Sequence, residues 1–387
     1  MRKQLCFILD WYPTQTNNGC IFAKHLICAI ADLGYDCTVI APRPIHKGSF
    51  QRANQVPYFR QEQTAQGNTV RIFMPHYLHL TSRKQTMGIS MNNHYQAVLH
   101  TIRKEGLKPD LVYGHFIYQC GLTAARVGEK LGIPSYCACG ENSLRLQKDS
   151  HPYATGMAHH NWKAIIKKLS GIVCVSSNNQ QLLLKNSFID PDMPTGIFPN
   201  GVDETKFHPM DKDACRKELG FPGEAFIVVY AGTFSSNKGL DRLNEALRSC
   251  ENVYSVFLGQ GALEPDCDRI LFKGRVPNDH VAKYLNAADV FVLPTRGEGC
   301  CNAIVEALSC GLPVISSDQA FNDDILTEDN SIRIDVECVD QIRDRILQLR
   351  DDPQMRAHLA AGAVASAAAL NIRTRAQRIL DFMELSL

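Results

Sequence analysis

The sequence predicts two successive α/β domains, each built on a parallel β-sheet that helices cover. The chain has 387 residues, more than the roughly 250–300 that a single hydrophobic core can organise. Short apolar strands alternate with amphipathic helices in both halves, a pattern typical of parallel sheets. Between the halves, residues 189–195 become polar and contain proline, and the turn signal Pro199-Asn200-Gly201 follows. We therefore expect one domain over residues 1–190 and another over residues 191–370.

In the first half, short apolar runs predict strands and longer periodic runs predict helices. The predicted strands are Gln4–Leu9, Cys37–Ile40, Asp110–Tyr113, Ser135–Ala138 and Gly171–Val175, and the predicted helices are Phe22–Leu33, Leu122–Leu131 and Asn161–Leu169. The polar stretch from Arg43 to Gln66 is predicted to be an exposed connection between strands.

The second half repeats this alternation and ends in helical sequence. Strands are predicted over Phe226–Tyr230, Val253–Leu258, Asp289–Leu293 and Val314–Ile315, and helices over Leu240–Leu247 and the alanine-rich Ala357–Leu370. Residues 371–387 predict a last helix because apolar residues recur there at helical spacing. Arg373, Arg375 and Arg378 are expected mostly on the opposite face of that helix.

Composition narrows the class of protein. Apolar residues make up 45% of the chain and charged residues 21%, as in ordinary globular proteins. No apolar run approaches the roughly 18–20 residues needed to cross a bilayer, and the short run Leu5–Leu9 is expected to be a first buried strand rather than a signal peptide. Fifteen cysteines lie without a CxxC pair or zinc-ligand spacing. We expect a cytoplasmic protein with free thiols and no metal.

Charge is distributed unequally between the two halves. Residues 1–190 hold 21 Lys and Arg against 10 Asp and Glu, whereas residues 191–387 hold 20 against 30. The basic half is expected either to meet an anionic partner, such as a membrane surface or a phosphorylated acceptor, or to attract the acidic half electrostatically. Lys163, Lys167 and Lys168 in the predicted helix Asn161–Leu169 fit either a membrane-surface helix or an ordinary amphipathic helix with a solvated basic face.

The most informative segment runs from Glu298 to Leu308 and contains the start of a predicted helix, between the predicted strands Asp289–Leu293 and Val314–Ile315. A helix N-terminus presents unpaired N–H groups and the positive end of the helix dipole, which suit a phosphate. Glu298 and Glu306 flank this helix start, and carboxylates would be repelled by a phosphate. They are therefore expected to accept hydrogen bonds from the hydroxyls of a ribose and a sugar. The segment predicts a nucleotide-sugar site.

A second candidate lies after the strand Phe226–Tyr230, in the loop Gly232–Gly239. Its glycine, its small polar residues and Lys238 before a helix are suited to hold a diphosphate. The spacing GxxxxGK of the P-loop is absent. Taken alone, the sequence fits equally well an ordinary surface loop in which a solvated lysine precedes a helix.

These segments resemble the retaining GT-B glycosyltransferases of family 4 (glycosyl transferases group 1), which include bacterial polysaccharide and lipid glycosyltransferases. The resemblance covers nearly the whole chain, and the segment of Glu298 and Glu306 is its most specific part. The other matching segments are Gly19, Asp110–His115, Pro199–Asp203, Gly232–Gly239, Gly259–Gly261, Phe272–Val276 and Ala307–Val314. The resemblance implies two Rossmann-like domains facing a central cleft, with residues 371–387 either returning to the first domain or forming a simple terminal helix.

The resemblance also implies roles for the donor-site residues. Glu306 would hold the ribose, Glu298 the transferred sugar, and Lys238 the charge of the leaving diphosphate. The backbone amides around Cys301, Asn302 and Ala303 would face the diphosphate. The base would lie near Arg275 and Val276.

Further roles are implied outside that segment. Gly19 would let the backbone approach the diphosphate, and His115 would point toward the donor sugar, so His115, Lys238 and Glu298 are the expected catalytic residues. Many family members carry arginine where this chain has Thr233, so either Lys238 would bear the phosphate charge with less help, or Arg275 or another residue would compensate. Glu141 is the expected acceptor contact.

The resemblance implies transfer with retention of configuration, without a metal ion or other cofactor. The expected partners are a nucleotide sugar and a saccharide or lipid-linked acceptor, with peripheral contact to an anionic membrane at its inner face and no nucleic acid. Two alternatives stay open: a nucleotide-sugar 2-epimerase-like enzyme of the same fold, and a non-catalytic nucleotide-sugar-binding module.

Overall fold

The computed structural model describes residues 2–14, 19–45, 56–79, 87–143 and 163–385. The chain forms two compact α/β units, each built on a largely parallel sheet, which confirms the predicted fold class. The first unit contains Met1–Phe198 and Arg375–Leu387, and the second contains Pro199–Thr374. Strand Thr195–Ile197 belongs to the sheet of the first unit, although it lies beyond the junction predicted at residue 190.

Ten strands are described in the first unit: β1 (Gln4–Ile8), β2 (Asp36–Ile40), β3 (Arg43–Ile45), β4 (Phe59–Gln63), β5 (Thr69–Phe73), β6 (His76–Leu78), β7 (Leu111–His115), β8 (Ser135–Cys139), β9 (Gly171–Cys174) and β10 (Thr195–Ile197). Eight of them form one sheet in the order β10-β9-β8-β7-β1-β2-β5-β4. The pairs in this sheet are parallel except β4 with β5. Strands β7, β8 and β9 are buried along their whole length, as expected of a parallel sheet covered on both faces.

The helices of the first unit are α1 (Ile21–Asp32), α2 (Met87–Lys104), α3 (Leu122–Leu131) and α4 (Ser177–Lys185), with a π-helical turn over Ile117–Gly121. The prediction of an exposed connection from Arg43 to Gln66 was wrong where it can be checked, because β3 and β4 lie there; residues 46–55 are outside the described ranges. Arg43 is buried, and its guanidinium donates to the Val56 carbonyl at 2.7 Å. Arg43 thereby satisfies backbone carbonyls, whereas the residues of β4 alternate between exposed and half-buried.

The second unit has one six-stranded parallel sheet in the order β13-β12-β11-β14-β15-β16. Its strands are β11 (Phe226–Ala231), β12 (Val253–Leu258), β13 (Ile270–Gly274), β14 (Val290–Leu293), β15 (Val314–Ser317) and β16 (Ser331–Ile334). Its helices are α5 (Lys212–Leu219), α6 (Leu240–Arg248), α7 (Asn278–Ala287), α8 (Asn302–Ser309), α9 (Val339–Asp351) and α10 (Pro353–Ala367). The chain order reverses between β11 and β14, and ligands of open α/β sheets bind at such a point.

The last helix, α11 (Ile372–Leu385), packs on the first unit from Arg375 onward. Ala376, Ile379 and Met383 are buried, and the Tyr136 hydroxyl donates to the Met383 carbonyl at 2.8 Å. The expectation that Arg375 lies on a solvent face was wrong. Arg375 is buried and donates from Nε to the Phe198 carbonyl, which lets a charged side chain sit inside the unit.

Within the described ranges, no helix combines the length and the apolar character that a membrane span requires. All fifteen cysteines are free thiols, and twelve of them are buried.

Candidate active site

The loop Gly232–Gly239 of the second unit, which the sequence predicts to hold a diphosphate, connects β11 to α6 through a tight backbone turn. Residues Ser236–Lys238 form a 3-10 turn. The Ser235 hydroxyl caps this turn by accepting a hydrogen bond from the Lys238 N–H. Gly239 follows with φ +77°, and an added Cβ would lie 2.2 Å from the Pro294 carbonyl oxygen. Only glycine fits both the dihedral and the space. This glycine therefore holds the loop against the end of β14.

Lys238 and Glu298 form an ion pair through Nζ and Oε1, with both side chains largely buried. Thr295 donates from Oγ1 to the same Glu298 oxygen at 3.3 Å. Burial lowers the pKa of Lys238, but the neighbouring Cys301 and Glu298 outweigh it, so its pKa is raised overall. The lysine therefore stays protonated. The structure thus brings together two residues that the sequence had assigned to different parts of the donor.

Helix α8 starts with its backbone amides free of side-chain caps. Its N-cap residue, Cys301, makes no capping hydrogen bond, and in the described chain the amides of Asn302 and Ala303 donate to no other group. Burial raises the pKa of the Cys301 thiol to about 12, which keeps it neutral. The helix end therefore offers N–H groups and a positive dipole without a competing negative charge.

A pocket of about 270 Å³ opens beside this helix end. Five residues predicted for donor binding line it: Arg275, Val276, Asn302, Ala303 and Glu306. Gly232 and Gly259, which follow β11 and β12, complete its wall, so the pocket lies at the carboxyl end of the sheet.

Glu306 occupies the pocket with an unusual carboxyl group. Burial raises its pKa from 4.5 to about 8. Its carboxyl has no hydrogen-bond or ion-pair partner within the part of the chain that the structure describes. Glu306 is half-buried, and a carboxyl that is partly removed from water and unpaired is suited to accept hydrogen bonds from hydroxyl groups of a ligand.

Arg275 supplies positive charge to the same pocket. Its side chain is exposed and forms no ion pair or hydrogen bond with the residues described. Thr233, which occupies the position where many family members have arginine, is also exposed, and its carbonyl accepts from the Tyr230 hydroxyl at 2.8 Å. The free guanidinium of Arg275 is thus the group that could replace the missing arginine.

Three side chains that the sequence did not mark hold the loop Gly232–Gly239 in place. Arg242 donates to the carbonyls of Ser236 and Pro294 at 3.1 and 2.9 Å, and Arg296 donates to the Ser236 hydroxyl at 3.0 Å. Thr295 links Glu298 to the loop, because its hydroxyl also lies 3.3 Å from the Asn237 carbonyl. No local pattern marks these residues, since each of them also has a partner more than fifty residues away in sequence.

In the first unit, His115 ends β7 and lies in an aromatic setting. Its ring lies 5.1 Å from that of Phe22 and 4.8 Å from that of Phe116. Burial, with a smaller contribution from Arg375, lowers the pKa of His115 to about 3, so the imidazole is neutral at physiological pH. Among the residues that are described, none forms a hydrogen bond with its ring. The imidazole is therefore free to donate to a ligand.

Glu141 follows β8 and supports the turn after His115. Its Oε1 accepts from the Ile117 N–H at 2.6 Å, and its carbonyl accepts from Asn179 at 3.0 Å. Burial raises the pKa of Glu141, which the backbone hydrogen bond from Ile117 partly offsets. The structure shows a residue that fixes the π-helical turn, a role that the sequence did not suggest.

Gly19 lies in the turn that precedes α1. Residues 15–18 before it are outside the described ranges.

The predicted helix Asn161–Leu169 is described only from residue 163, where residues 163–166 are helical. Ile166 and Leu169 are buried in the core of the first unit. Lys167 pairs with Asp190 and Lys168 with Glu129. The burial of Ile166 and Leu169 agrees with an ordinary amphipathic helix, whereas Trp162 lies outside the described residues.

Comparisons with known proteins agree with this geometry. Residues 21–206 match the model of the Glycosyltransferase Family 4 domain, and residues 211–364 match that of the Glycosyl transferases group 1 domain. The chain belongs to the GT-B glycosyltransferases of family 4. The two matches meet between residues 206 and 211, inside the second unit.

Individual relatives of this glycosyltransferase are distant. A predicted teichuronic acid biosynthesis glycosyltransferase of Bacillus subtilis, TuaC, is 28% identical, covering 81% of this chain and 81% of the relative. An Escherichia coli UDP-Gal:alpha-D-GlcNAc-diphosphoundecaprenol alpha-1,3-galactosyltransferase is 28% identical, covering 47% of this chain and 51% of the relative. Sucrose-phosphate synthase from Thermosynechococcus elongatus has a similar fold, with a TM-score of 0.78, 16% identity and 99% of each chain covered.

Proposed function

We propose that this glycosyltransferase moves a sugar from a nucleoside-diphosphate sugar to a saccharide or lipid-linked acceptor, with retention of configuration and without a metal ion or other cofactor. The observation that supports a nucleoside-diphosphate sugar as the donor is the pocket at the carboxyl end of the second unit's sheet. It combines an unpaired carboxyl, Glu306, with an unpaired guanidinium, Arg275, and an uncapped helix end. Carboxyl, cation and amides are the groups that a ribose followed by a diphosphate requires.

The charges of this site suit departure of the nucleoside diphosphate. Lys238 is protonated and lies next to the amides of α8, so negative charge that develops on the diphosphate would meet preorganised positive groups. Binding would require Lys238 to share or leave its ion pair with Glu298. The released Glu298 carboxylate could then accept hydroxyls of the transferred sugar.

Retention and metal independence rest on the family resemblance. Arg275, Lys238 and the helix end already offer positive charge, which is the task that a metal ion performs in other transferases. Neutral His115 fits a hydroxyl-binding role on the sugar, because an imidazole that stays unprotonated neither repels nor attracts a developing oxocarbenium charge strongly.

The proposed acceptor class follows from the names of the relatives. TuaC is assigned to teichuronic acid biosynthesis, and the E. coli relative acts on a diphosphoundecaprenol-linked sugar. We extend to this chain a role in polysaccharide or glycoconjugate biosynthesis at the cytoplasmic membrane face. The excess of basic residues over positions 1–190 would favour peripheral contact with an anionic membrane. Flotation with vesicles with and without anionic lipid tests that contact, and equal recovery would remove it from the proposal.

Donor binding is the first test of the function. Ligand-observed NMR with UDP-, GDP-, ADP- and dTDP-sugars should give one preferred nucleotide, and Glu306→Ala should abolish its signal. The anomeric configuration of the product then tests retention. Activity after chelation, measured on protein whose circular dichroism shows an unchanged fold, tests metal independence of the transfer. Release of a free epimerised sugar would support the 2-epimerase alternative, and donor binding without turnover on any acceptor would support the binding module.

A further inference from the structure

A group of side chains of metal-binding types lies in the first unit. Asp10 follows β1, His94 lies on α2, and Cys120 lies in the π-helical turn after β7. A carboxylate oxygen, an imidazole nitrogen and a thiol sulfur from these residues all lie within 4.8 Å of one another. The three segments are far apart in sequence, which is why no ligand spacing is visible along the chain.

The unpaired nitrogen of the buried His94 imidazole indicates that a ligand is missing. Its Nδ1 lies 2.8 Å from the Thr123 hydroxyl, whereas Nε2 is buried and has no hydrogen-bond partner in the described part of the chain. His94 is only 1% exposed. Buried polar atoms nearly always have a partner. With the proton on Nδ1 donated to Thr123, Nε2 presents its lone pair, and such a second hydrogen bond is the usual support of a metal-bound histidine.

The charge of the group also suits a divalent cation. The Cys120 thiol donates to Asp10 Oδ1 at 3.0 Å, so one acidic proton now bridges two potential anions. Asp10 forms no ion pair with any lysine or arginine that the structure describes. A thiolate, a carboxylate and a neutral imidazole together carry two negative charges, which one dication balances. Such balance is what a buried charged group requires.

We propose that Asp10, His94 and Cys120 bind one Zn²⁺ ion, with water as the fourth ligand. A sulfur, nitrogen and oxygen donor set in a tetrahedral arrangement is suited to zinc, whereas Mg²⁺ and Ca²⁺ prefer oxygen ligands alone. Binding releases the thiol proton to solvent, since the thiolate is the ligand. Asp10 keeps part of its surface accessible, which gives the ion and its water a route to the site.

The site would act on structure rather than on the transferred sugar. It would tie β1, α2 and the turn after β7 to one another within the first unit. That turn contains two residues with non-helical dihedrals, Tyr118 and Gln119, and it follows directly on His115 and Phe116. A metal cross-link would hold this strained turn in one conformation.

Cobalt binding tests the proposal with a readout that does not involve sugar transfer. Protein stripped with a chelator is titrated with Co²⁺, and near-ultraviolet thiolate-to-cobalt charge-transfer absorption is followed. We expect saturation at one equivalent per chain, displacement by Zn²⁺, and loss of the absorption in Cys120→Ser. Cys37→Ser, which changes a buried cysteine of β2, should behave as the native protein. Thr123→Val should weaken binding roughly 10- to 100-fold, because His94 loses its orienting hydrogen bond.

Folding of the variants is checked by circular dichroism before titration. If Cys120→Ser does not fold, Asp10→Asn and His94→Gln replace it, and both should bind cobalt far more weakly than the native protein. Charge-transfer absorption that persists in all folded variants would mean that other thiols bind the ion. That result, or the absence of any absorption in the native protein, would overturn the site.

Discussion

The second unit presents charged side chains at the carboxyl end of its sheet, whereas two predicted site residues of the first unit, His115 and Glu141, are respectively buried and neutral, and hydrogen-bonded to the backbone. Lys238, Glu298 and Arg275 carry the charge in the second unit, and Arg275 has no partner in the described chain. In the first unit, His115 is held neutral by burial, and Glu141 is used to fix a turn. A diphosphate needs fixed positive charge, while a sugar or acceptor hydroxyl needs only hydrogen bonds, so the difference matches the division of labour that we propose.

The largest effect is expected for Lys238, the charged centre of the second unit. Lys238→Ala should lower kcat roughly 100- to 1,000-fold, because the departing diphosphate loses a preorganised cation. Steady-state kinetics with the preferred donor measure it. Lys273→Ala, at an exposed lysine that pairs with Glu264, is the control and should retain native kcat. A Lys238→Ala enzyme with native kcat would show that the charged unit is not where catalysis occurs.

Glu306 should show the next effect, on donor affinity. Glu306→Gln should weaken donor binding roughly 10- to 100-fold through loss of charge-assisted hydrogen bonds to the ribose. Native binding should tighten as pH rises through about 8, since the carboxylate is the better acceptor and forms only above the raised pKa. Calorimetric titrations at pH 6.5 and 9 measure both. Glu328→Gln, at an exposed position, should keep the native pH dependence.

The same carboxyl predicts how stability changes with pH. Its pKa is raised in the folded protein, so between about pH 4.5 and 8 the folded state keeps a proton that the unfolded chain has lost. The free energy of unfolding should therefore fall as pH rises across this window. Urea titrations across the window should give a shallower fall for Glu306→Gln than for the native protein. Identical slopes would mean that Glu306 ionises normally in the folded protein.

Gly239 tests how strictly the charged loop is built. Gly239→Ala should lower the free energy of unfolding by about 1–3 kcal/mol, because alanine would adopt a positive φ and its Cβ would clash with the Pro294 carbonyl. Urea unfolding measures the loss. Gly223→Ala, where an added Cβ meets nothing, is the matched control and should be close to neutral. Equal stability of both variants would contradict the tight-loop geometry.

The smallest effect is expected in the first unit, at Glu141. Glu141→Gln should change stability little, since an amide oxygen can still accept from the Ile117 N–H. Glu141→Ala should cost about 1–3 kcal/mol, because that N–H would lose its partner. Thermal unfolding compares the two variants. A rise in acceptor KM for Glu141→Gln with unchanged stability would instead support the acceptor contact that the sequence predicted.

The sequence alone determined the fold class and named five of the residues that line the pocket beside α8. Alternating apolar strands and amphipathic helices require two parallel-sheet units of this size, and a glutamate pair that spans a helix start specifies its chemistry locally. Lys238 and Gly239 lie in the loop after β11, and Asn302 and Glu306 lie in α8. The neighbours of these residues in sequence are therefore also their neighbours in space.

Only the tertiary structure decided the rest, because it depends on residues that are distant in sequence. The ion pair of Lys238 with Glu298 and the cluster of Asp10 with Cys120 are formed by packing different strands and turns together. The same applies to β4, a polar edge strand where the sequence predicted a connection. It also applies to Arg375, whose burial is possible because its Nε–H donates a hydrogen bond to the Phe198 carbonyl. Burial also set the pKa values of His115 and Glu306, since desolvation depends on the atoms that surround a group and not on its neighbours along the chain.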